Sequence, residues 1–376
     1  NCAKSCASSC NYYTIHMSEK NRLDQLALHF VHGIGSVMIR QLISHFGNAT
    51  AVWKANKRQL MAVRGFGPMT FSLLKQSDQC HLRAAECMKR VKRDNISLLF
   101  HTDRAFPERL KHIPDAPSLL FYKGSADLNH SRMIAVVGTR SSSNYGQQFT
   151  SKLIHELVKY KTHIISGLAY GIDISAHREA LNTDIPTIAV MAGGLDRIYP
   201  NEHRKDVHAM ISNGGILSEH PPGTPPEAHN FPARNRIIAG MSDAVVVIEA
   251  AGKGGAQITA RLANEYNREV FALPGPYYSR VSEGCHNLIK SHQATLLTSA
   301  EDIAYLLNWQ RPKKQMNLTH DFTTEEKRIV SVLHDHPEGL HIDHLCWTAN
   351  LTVYQAAISL VNLECRGIIK GLSGNR

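Results

Sequence analysis

Short apolar segments alternate with longer amphipathic segments through the middle of the chain. The apolar segments predict seven strands, at residues 133–137, 163–166, 187–191, 215–218, 244–248, 270–273 and 295–297. Between them, apolar positions with a helical period predict helices at residues 146–160, 174–181, 202–211 and 258–266. Apolar strands that alternate with helices are typical of a parallel sheet covered on both faces. The pattern therefore predicts a Rossmann-like, doubly wound, mostly parallel α/β domain at residues 111–307.

Residues 22–97 have a helical pattern of apolar positions, which predicts an N-terminal helical domain at residues 17–110. Two segments of this region have the same form, in which a Gly-hydrophobic-Gly turn joins two helices: Gly33-Ile34-Gly35 and Gly65-Phe66-Gly67. Both segments resemble helix-hairpin-helix or SAM-like units. Glycines in such turns let backbone N–H groups approach a phosphate closely. Direct contact with DNA and a purely structural bundle are both open at this point.

A polar segment at residues 308–322 is interpreted as a linker, and further helical patterns follow it. These patterns cover residues 324–335, 342–347 and 353–366. Thr352 is placed to cap the third helix, and residues 367–371 predict a short strand and turn. Three helices and a wing are the outline of a winged-helix-like domain, at residues 323–376. DNA reading, protein contact and a structural cap are all open for it.

The start of the chain contains Cys2, Cys6 and Cys10 but no apolar stretch of the kind found in signal peptides. The cysteine spacing does not match common zinc or iron–sulfur patterns. We interpret residues 1–16 as a non-native or disordered leader. The other cysteines are scattered without a CxxC pair, which is typical of a reducing compartment.

The net charge of the chain is unevenly distributed. The 376 residues include 42 Lys and Arg against 32 Asp and Glu, a formal net charge of +10, and 43% are hydrophobic. This composition excludes wholesale disorder, and no apolar run is long enough to span a membrane. Residues 1–110 carry a balance of +9, whereas residues 111–310 are neutral. A basic balance favours polyanionic partners, but an anion site in the neutral region must be built from individually placed groups.

Glycines, hydroxyls and basic side chains follow several of the predicted strands. Gly138-Thr139-Arg140-Ser141 follows the first strand, residues 166–171 follow the second, and a glycine loop containing Lys253 follows the fifth. Because the carboxyl ends of parallel strands meet at one edge of a sheet, these loops should converge. Glycine turns, helix N-termini and basic side chains bind phosphate. The sequence therefore predicts a site for a phosphate-bearing ligand.

Residues 229–240 contain an aromatic side chain beside two arginines and are interpreted as a further loop of this site. Phe231 would stack on a base while Arg234 and Arg236 neutralise phosphates. The alternative is that Phe231 packs in the core and one arginine pairs with Glu219 or Glu249.

Motifs of nucleotide-dependent enzymes are missing from the sequence. It has no Gly-x-Gly-x-x-Gly fingerprint, no Walker lysine motif and no Gly-x-Ser-x-Gly elbow. Asp173, Glu219 and Glu249 are lone carboxylates with structural roles open to them, such as capping a helix in the case of Asp173. No catalytic residue, metal site or cofactor is predicted.

The ordered motifs resemble the DprA (Smf) family of DNA-processing proteins in natural transformation. The resemblance is carried by Gly138-Thr139-Arg140, residues 166–173, residues 231–240, Pro274-Gly275 and residues 282–289. It covers nearly the whole chain. Two departures are an alanine, Ala228, where some relatives have a basic residue, and Gly254-Gly255-Ala256-Gln257 in place of Ser-Gly-Ser-Leu.

The resemblance implies a cytoplasmic, homodimeric and non-catalytic protein that binds incoming single-stranded DNA and helps to load the RecA recombinase. Arg140 would hold a phosphate beside Ser166 and Gly167. Phe231, Arg234 and Asn235 would line the same groove. The complete predicted nucleic-acid site is Gly138, Thr139, Arg140, Ser141, Ser166, Gly167, Ala169, Gly171, Phe231, Arg234, Asn235, Arg236, Lys253 and Gly255.

Two other functions are open on the sequence alone. One is a nucleotide-processing enzyme that resembles the Rossmann-like phosphoribohydrolases, although neither Met191-Ala192-Gly193-Gly194 nor Pro274-Gly275-Pro276 completes their Pro-Gly-Gly-x-Gly-Thr motif. The other is a scaffold for RecA or another protein, in which DNA contact is incidental.

Overall fold

The computed structural model describes residues 18–74, 77–309, 322–336, 339–366 and 368–371. These residues form two compact units, one that ends at residue 309 and one that begins at residue 322. The predicted leader, with its three cysteines, and most of the predicted linker lie outside the described residues. The domain boundaries proposed from the sequence at residues 110 and 307 remain predictions.

The first unit starts with helices, as the sequence predicts. They are α1 (Glu19–Leu28), α2 (Ser36–Phe46), α3 (Ala49–Lys54), α4 (Lys57–Met61), α5 (Pro68–Leu74) and α6 (Ser77–Arg93). The two Gly-hydrophobic-Gly turns join α1 to α2 and α4 to α5. Gly33 and Gly65 have φ angles of 78° and 83°, a backbone conformation that side chains disfavour. The glycines are therefore needed for the turns themselves.

A nine-stranded sheet follows the helices. Its strands are β1 (Ser97–Phe100), β2 (Leu119–Gly124), β3 (Met133–Val137), β4 (His163–Ser166), β5 (Thr187–Val190), β6 (Gly214–Ser218), β7 (Ala244–Val247), β8 (Glu269–Ala272) and β9 (Thr295–Leu296). The seven predicted strands are all present, each within one residue of its predicted bounds. The first two strands were not predicted, and they add an antiparallel extension at the β6 edge.

The strand order β1-β2-β6-β5-β4-β3-β7-β8-β9 places β3 at the point where the chain reverses direction. From β3 the parallel strands proceed outward to β6, and the chain then returns to β7 on the other side of β3. In doubly wound sheets a crevice opens at this switch point, beyond the carboxyl ends of the strands. The topology thus places the loops after β3 and β7 on opposite sides of one crevice.

Helices cover both faces of the sheet. They are α7 (Glu108–Lys111), α8 (Asn144–Leu157), α9 (Ile172–Asn182), α10 (Arg204–Ser212), α11 (Asn230–Met241), α12 (Gly255–Glu265), α13 (Glu283–Lys290) and α14 (Ala300–Leu306). One buried core lies on each face. A further core joins the N-terminal helices to the sheet, where Phe100, Phe121 and Ile216 are almost completely buried. None of the described helices is long and apolar enough to cross a membrane.

The interpretation of residues 229–240 as a loop is wrong, because this segment forms α11. Pro232 lies in the first turn of the helix, where its missing N–H group has no intrahelical role. Arg234, Ile237, Ile238 and Met241 are buried along one side, at helical spacing. The polar residues Arg234 and Asn235 occupy buried positions, so the helical period of buried residues was not visible in the sequence.

The second unit consists of α15 (Thr324–His334), α16 (Ile342–Ala349) and α17 (Val353–Cys365), as predicted. Ile329, Leu345 and Leu363 form its buried core. The hydroxyl of Thr352 accepts the Gln355 N–H at 3.4 Å, which confirms the predicted cap. No strand forms in the described part of the predicted wing, residues 368–371. α17 itself contains no Lys or Arg, so its sequence does not favour DNA reading.

Buried histidines give a testable pH dependence of stability. His177 is completely buried, with its Nδ1 2.7 Å from the Thr187 hydroxyl, and burial lowers the pKa of His177 to about 3. Burial likewise lowers the pKa of His163 to about 4. Since an unfolded His titrates near ~6.5, only the unfolded state takes up these protons as pH falls from ~6.5 toward 4. These two histidines therefore destabilise the fold as the pH falls over this range.

We expect the free energy of unfolding to fall by about 1.4 kcal/mol per pH unit for each such histidine below pH ~6. Urea unfolding of the wild type and of His177→Gln at pH 7.5, 6.0, 5.0 and 4.5 measures this slope. The variant should lose roughly one histidine's share of it. His155→Gln, at an exposed position, is the matched control and should keep the wild-type slope. Parallel curves for wild type and His177→Gln would contradict the assignment.

Candidate nucleic-acid interface

An open cleft lies at the switch point of the sheet, beyond the carboxyl ends of β3 and β7. Its volume of about 1090 Å³ is slightly above the range of small-molecule pockets, about 300–1,000 Å³. The loops after β3, β4 and β7 and the first turn of α11 contribute to its walls. Its lining includes Thr139, Arg140, Phe231, Arg234 and Lys253.

The loop after β3 presents Arg140 to the cleft. The Thr139 N–H donates to the Glu249 carbonyl oxygen at 2.7 Å, which joins this loop to the end of β7. The Glu249 carboxylate accepts from the N–H and the hydroxyl of Ser143 at the start of α8. Arg140 is exposed, and its guanidinium carbon lies 5.5 Å from the centre of the Phe231 ring. Within the described chain, this guanidinium forms no hydrogen bond or ion pair, so it can engage a ligand.

The loop after β4 contributes its shape more than its side chains. The Ser166 hydroxyl is buried and donates to the Val136 carbonyl at 2.6 Å, so it does not face the cleft. Gly167 is also buried, and Ala169 borders the cleft. Gly171 has a φ of 74°, and a Cβ atom there would overlap the Thr139 carbonyl. Its glycine allows the β3 and β4 loops to touch along their backbones.

Asp173 is not the N-cap of α9 that the sequence suggested. It lies in the first turn of the helix, is buried, and accepts the Ala169 N–H at 3.4 Å. Burial raises the pKa of Asp173, while Arg234 and the backbone N–H groups of the neighbouring loops oppose this shift. The Asp173 carboxylate therefore accepts backbone hydrogen bonds from both the β3 loop and the β4 loop and holds the two loops together below the cleft.

Arg234 is part of the cleft floor and is only 6% exposed. Its Nη1 donates to the Gly167 carbonyl at 2.6 Å and also to the Val190 carbonyl. Burial lowers the pKa of Arg234 to about 10, and the attraction of Asp173 opposes this effect. The guanidinium thus fastens the ends of β4 and β5. This placement supports a structural role in place of the exposed phosphate contact that the sequence suggested.

Arg236 lies outside the residues that line the cleft. Its Nη2 donates to both Glu219 carboxylate oxygens, at 2.7 and 2.6 Å. The Ser36 hydroxyl at the start of α2 donates to the same carboxylate at 2.9 Å. The sequence alternative in which one arginine pairs with Glu219 therefore describes Arg236. The contact also places an acidic group at the first Gly-hydrophobic-Gly turn, which disfavours phosphate binding there.

The loop after β7 lines the cleft and leads into α12, whose first turn has no side-chain N-cap. Lys253 is exposed and forms no ion pair with a described residue. Gly254 supplies no side-chain cap to α12, and a Cβ atom there would meet nothing within 4 Å. Asn235 donates to the Gly255 carbonyl at 3.2 Å and positions this turn. The first N–H groups of α12 and the Lys253 ammonium are therefore available to an anion.

Tyr199 belongs to the cleft but was not among the predicted site residues. Its ring lies 5.8 Å from the Phe231 ring at an interplanar angle of 67°, an edge-to-face contact. It is 49% exposed. Its position after the third predicted strand, at the same sheet edge as the other loops, was the available sequence signal. Arg140, Phe231 and Tyr199 together form a cationic and aromatic wall of the cleft. Ser141 is exposed beside Arg140.

In the part of the chain that the structure describes, no three His, Cys, Asp or Glu side chains are placed to hold a metal ion. Asp173, which lines the cleft, and Glu249, just after β7, are both buried and engaged by backbone or hydroxyl donors. The arrangement is suited to binding phosphates and flat rings.

Comparison with known proteins gives consistent matches. The family model for DNA recombination-mediator protein A matches residues 97–308. The chain is 39% identical over 295 residues to protein Smf of Synechocystis, covering 77% of this chain and 74% of that protein. It is 44% identical over 201 residues to the DNA processing protein DprA of Streptococcus pneumoniae, covering 54% of this chain and 71% of the relative.

Two solved structures are similar to this fold. The X-ray structure of DprA from Streptococcus pneumoniae matches with a TM-score of 0.65 and 33% identity, covering 76% of this chain and 95% of that chain. The second is the structure that describes the single-stranded DNA binding mode of DNA processing protein A from Helicobacter pylori. It matches with a TM-score of 0.52 and 32% identity, covering 57% of this chain and 95% of that chain.

Two glycines of the cleft give a matched test of backbone strain. Gly171→Ala places a Cβ at a φ of 74° and against the Thr139 carbonyl, so we expect a loss of at least ~2 kcal/mol in the free energy of unfolding. Gly254→Ala has an extended φ of 173° and open space around the new Cβ. Its effect should stay below about 1 kcal/mol, the cost of a poorer N-cap for α12. Urea unfolding measures both, and equal effects would refute the close approach of the two loops.

The Arg236–Glu219 contact gives a second test. Arg236→Ala leaves a partly buried carboxylate without its main partner and should cost about 1–3 kcal/mol in the free energy of unfolding. Glu219→Gln removes the stranded charge, so the double variant should be more stable than the sum of the two single effects predicts. A double-mutant cycle by urea unfolding measures this coupling. Strictly additive effects would show that the contact contributes nothing.

Proposed function

This chain belongs to the DNA recombination-mediator protein A family, and from that premise we propose that it binds single-stranded DNA in the cleft at the switch point. The observation that carries the proposal is the free guanidinium of Arg140 beside the ring of Phe231, 5.5 Å apart at the mouth of the cleft. An arginine can neutralise a phosphate while the adjacent ring stacks on a base. An unpaired nucleotide of a single strand offers both groups together, a phosphate and an open base face.

The helix start at Gly255 and the Lys253 ammonium lie across the cleft from Arg140 and supply a second anion position. Two cationic positions on opposite walls suit successive phosphates of one strand. The region is neutral overall, so binding depends on these few groups and weakens as salt rises, because each phosphate contact releases counterions. Arg234 and Arg236 contribute by holding the walls in place.

The cleft contacts proposed here are made through phosphates and ring faces. Neither group distinguishes one base from another, because every base has a π face and every nucleotide a phosphate. We therefore propose binding without strong sequence preference. This property suits a protein that must accept any incoming strand.

On the biological level, we propose a recombination mediator of natural transformation that protects incoming single strands and helps to load RecA. A homodimer, a cytoplasmic location and the absence of catalysis are parts of the same proposal. Support comes from the family and from relatives named DNA processing protein DprA. The engagement of Asp173 and Glu249 in structural contacts favours binding over acid–base chemistry.

Arg140→Ala tests the site. We expect about tenfold weaker binding of a labelled dT20 and a salt dependence reduced by ~0.7 in log K against log salt, the share of one phosphate contact on a single strand. Fluorescence anisotropy across 50–300 mM NaCl measures both quantities.

The matched control is Arg178→Ala, which removes an arginine that is 53% exposed and paired with Asp206 on the helical surface. It should leave both affinity and salt slope unchanged. If Arg140→Ala binds dT20 as tightly as the wild type does, single strands do not use this cleft. If both arginine variants weaken binding equally, the effect is one of net charge and the site is likewise wrong.

A further inference from the structure

Two adjacent tyrosines stand out from the sheet edge that carries the cleft. Tyr277 and Tyr278 follow β8 and are 91% and 77% exposed. Their ring centres are 5.3 Å apart at an interplanar angle of 85°. Tyrosine rings are usually at least half covered by neighbouring side chains, because burial of their large apolar surface is favourable. Exposure of two together suggests a surface that a ligand covers.

The loop that carries these tyrosines is fixed to the walls of the cleft. The Tyr145 hydroxyl, in the first turn of α8, donates to the Pro274 carbonyl at 2.8 Å. The Gly284 N–H donates to the Ala250 carbonyl, in the loop after β7, at 2.7 Å. His286 Nε2 lies 2.9 Å from the Gly275 carbonyl. The tyrosine pair is therefore held at a defined place beside the β3 and β7 loops.

An exposed cation lies at each of the two places, Lys253 in the lining of the cleft and Arg280 in the loop of the tyrosines. Lys253 is exposed on the β7 loop, one strand away from β8 in the sheet. Arg280, two residues beyond the tyrosines, is also exposed, and neither side chain forms an ion pair with a described residue. A surface with unpaired cations beside bare rings is complementary to a strand of bases and phosphates. An apolar protein partner would leave these cations without counter-charges.

The distance between the β-strands that precede the two aromatic sites fits one continuous single strand of nucleic acid. In the sheet order, β5, which precedes Tyr199, and β8, which precedes the tyrosine pair, are four strand intervals apart. At ~4.8 Å per interval this is about 19 Å. A stacked strand rises ~3.4 Å per nucleotide, so about six nucleotides span the distance.

We infer that Tyr277 and Tyr278 form a second base-stacking platform, on which a single strand continues after leaving the cleft. This inference rests on the proposed function and adds a subsite to it. Arg140, Phe231 and Tyr199 hold one end of the bound segment, Lys253 lies in the middle, and the tyrosine pair with Arg280 holds the other end. The platform selects for strand length, since only oligonucleotides longer than the cleft can reach it.

The test compares short and long oligonucleotides on the full chain. The Tyr277→Ala/Tyr278→Ala variant should bind dT12 roughly 5- to 100-fold more weakly than the wild type, the loss expected from removal of base stacking. It should bind dT4, which the cleft alone accommodates, as the wild type does. The salt slope on dT12 should be unchanged, because no charge is removed. Tyr277→Phe/Tyr278→Phe should keep wild-type affinity, since it retains the rings.

A matched control and a modified ligand isolate stacking. Tyr305 is 84% exposed at the far end of α14, and Tyr305→Ala should bind dT12 normally. Two 12-mers with abasic sites, one in the 5′ half and one in the 3′ half, remove bases in place of rings. One of these two abasic 12-mers should bind the wild type as weakly as dT12 binds the double alanine variant. The double alanine variant should bind that abasic 12-mer with the same affinity as it binds dT12.

The outcomes separate this inference from the function on which it depends. If Arg140→Ala weakens binding of dT12 and the double alanine variant does not, the cleft stands and the platform is wrong. If neither variant weakens binding, the proposed function itself fails. Light scattering gives the mass of each variant. A changed mass, together with a loss of affinity that is the same on the abasic 12-mers, would assign the tyrosines to a protein interface and overturn the platform.

Discussion

The buried guanidinium of Arg234 is the contact on which the cleft depends. At the carboxyl edge of a parallel sheet, the carbonyl groups that end each strand have no further strand to pair with. Arg234 satisfies two of them, at Gly167 and Val190, from below the cleft. The nearby Asp173 carboxylate offsets part of the cost of burying this charge. The loops above can consequently leave their outer surfaces free for a ligand.

This arrangement separates two kinds of charged group that look alike in the sequence. Arg234 and Arg236 are held by backbone carbonyls and by Glu219, whereas Arg140 and Lys253 remain exposed. A charge-neutral domain can thus present a positive surface at the cleft, because the carboxylates of Glu219 and Asp173 lie against the largely buried arginines Arg236 and Arg234. The net charge of residues 111–310 is zero because it adds buried, paired side chains to exposed ones. It therefore says little about the charge at the cleft.

Much of the fold could be predicted because burial on both faces leaves a clear signal. The central parallel strands are short, largely apolar runs, and the carboxyl ends of the parallel strands had to share one edge, so Arg140, Phe231 and Lys253 were expected together. The errors came where side-chain roles depend on tertiary contacts. α11 was concealed because Arg234 and Asn235 occupy buried positions that usually hold apolar residues. β1 and β2 were missed because they pair antiparallel at one side of the sheet, outside the regular alternation of apolar strands and long helices that marked the parallel strands.

The core shared between the N-terminal helices and the sheet has a consequence for the solubility of shortened forms. The Helicobacter pylori structure is matched by only 57% of this chain. In this protein, Phe100, Phe121 and Ile216 are each no more than 1% exposed beneath or beside those helices. Removal of residues 18–93 would expose a contiguous apolar surface next to the edge strand β1 and its neighbour β2, a combination that promotes aggregation. A soluble minimal form of this chain would need polar substitutions on that face as well as a shorter sequence.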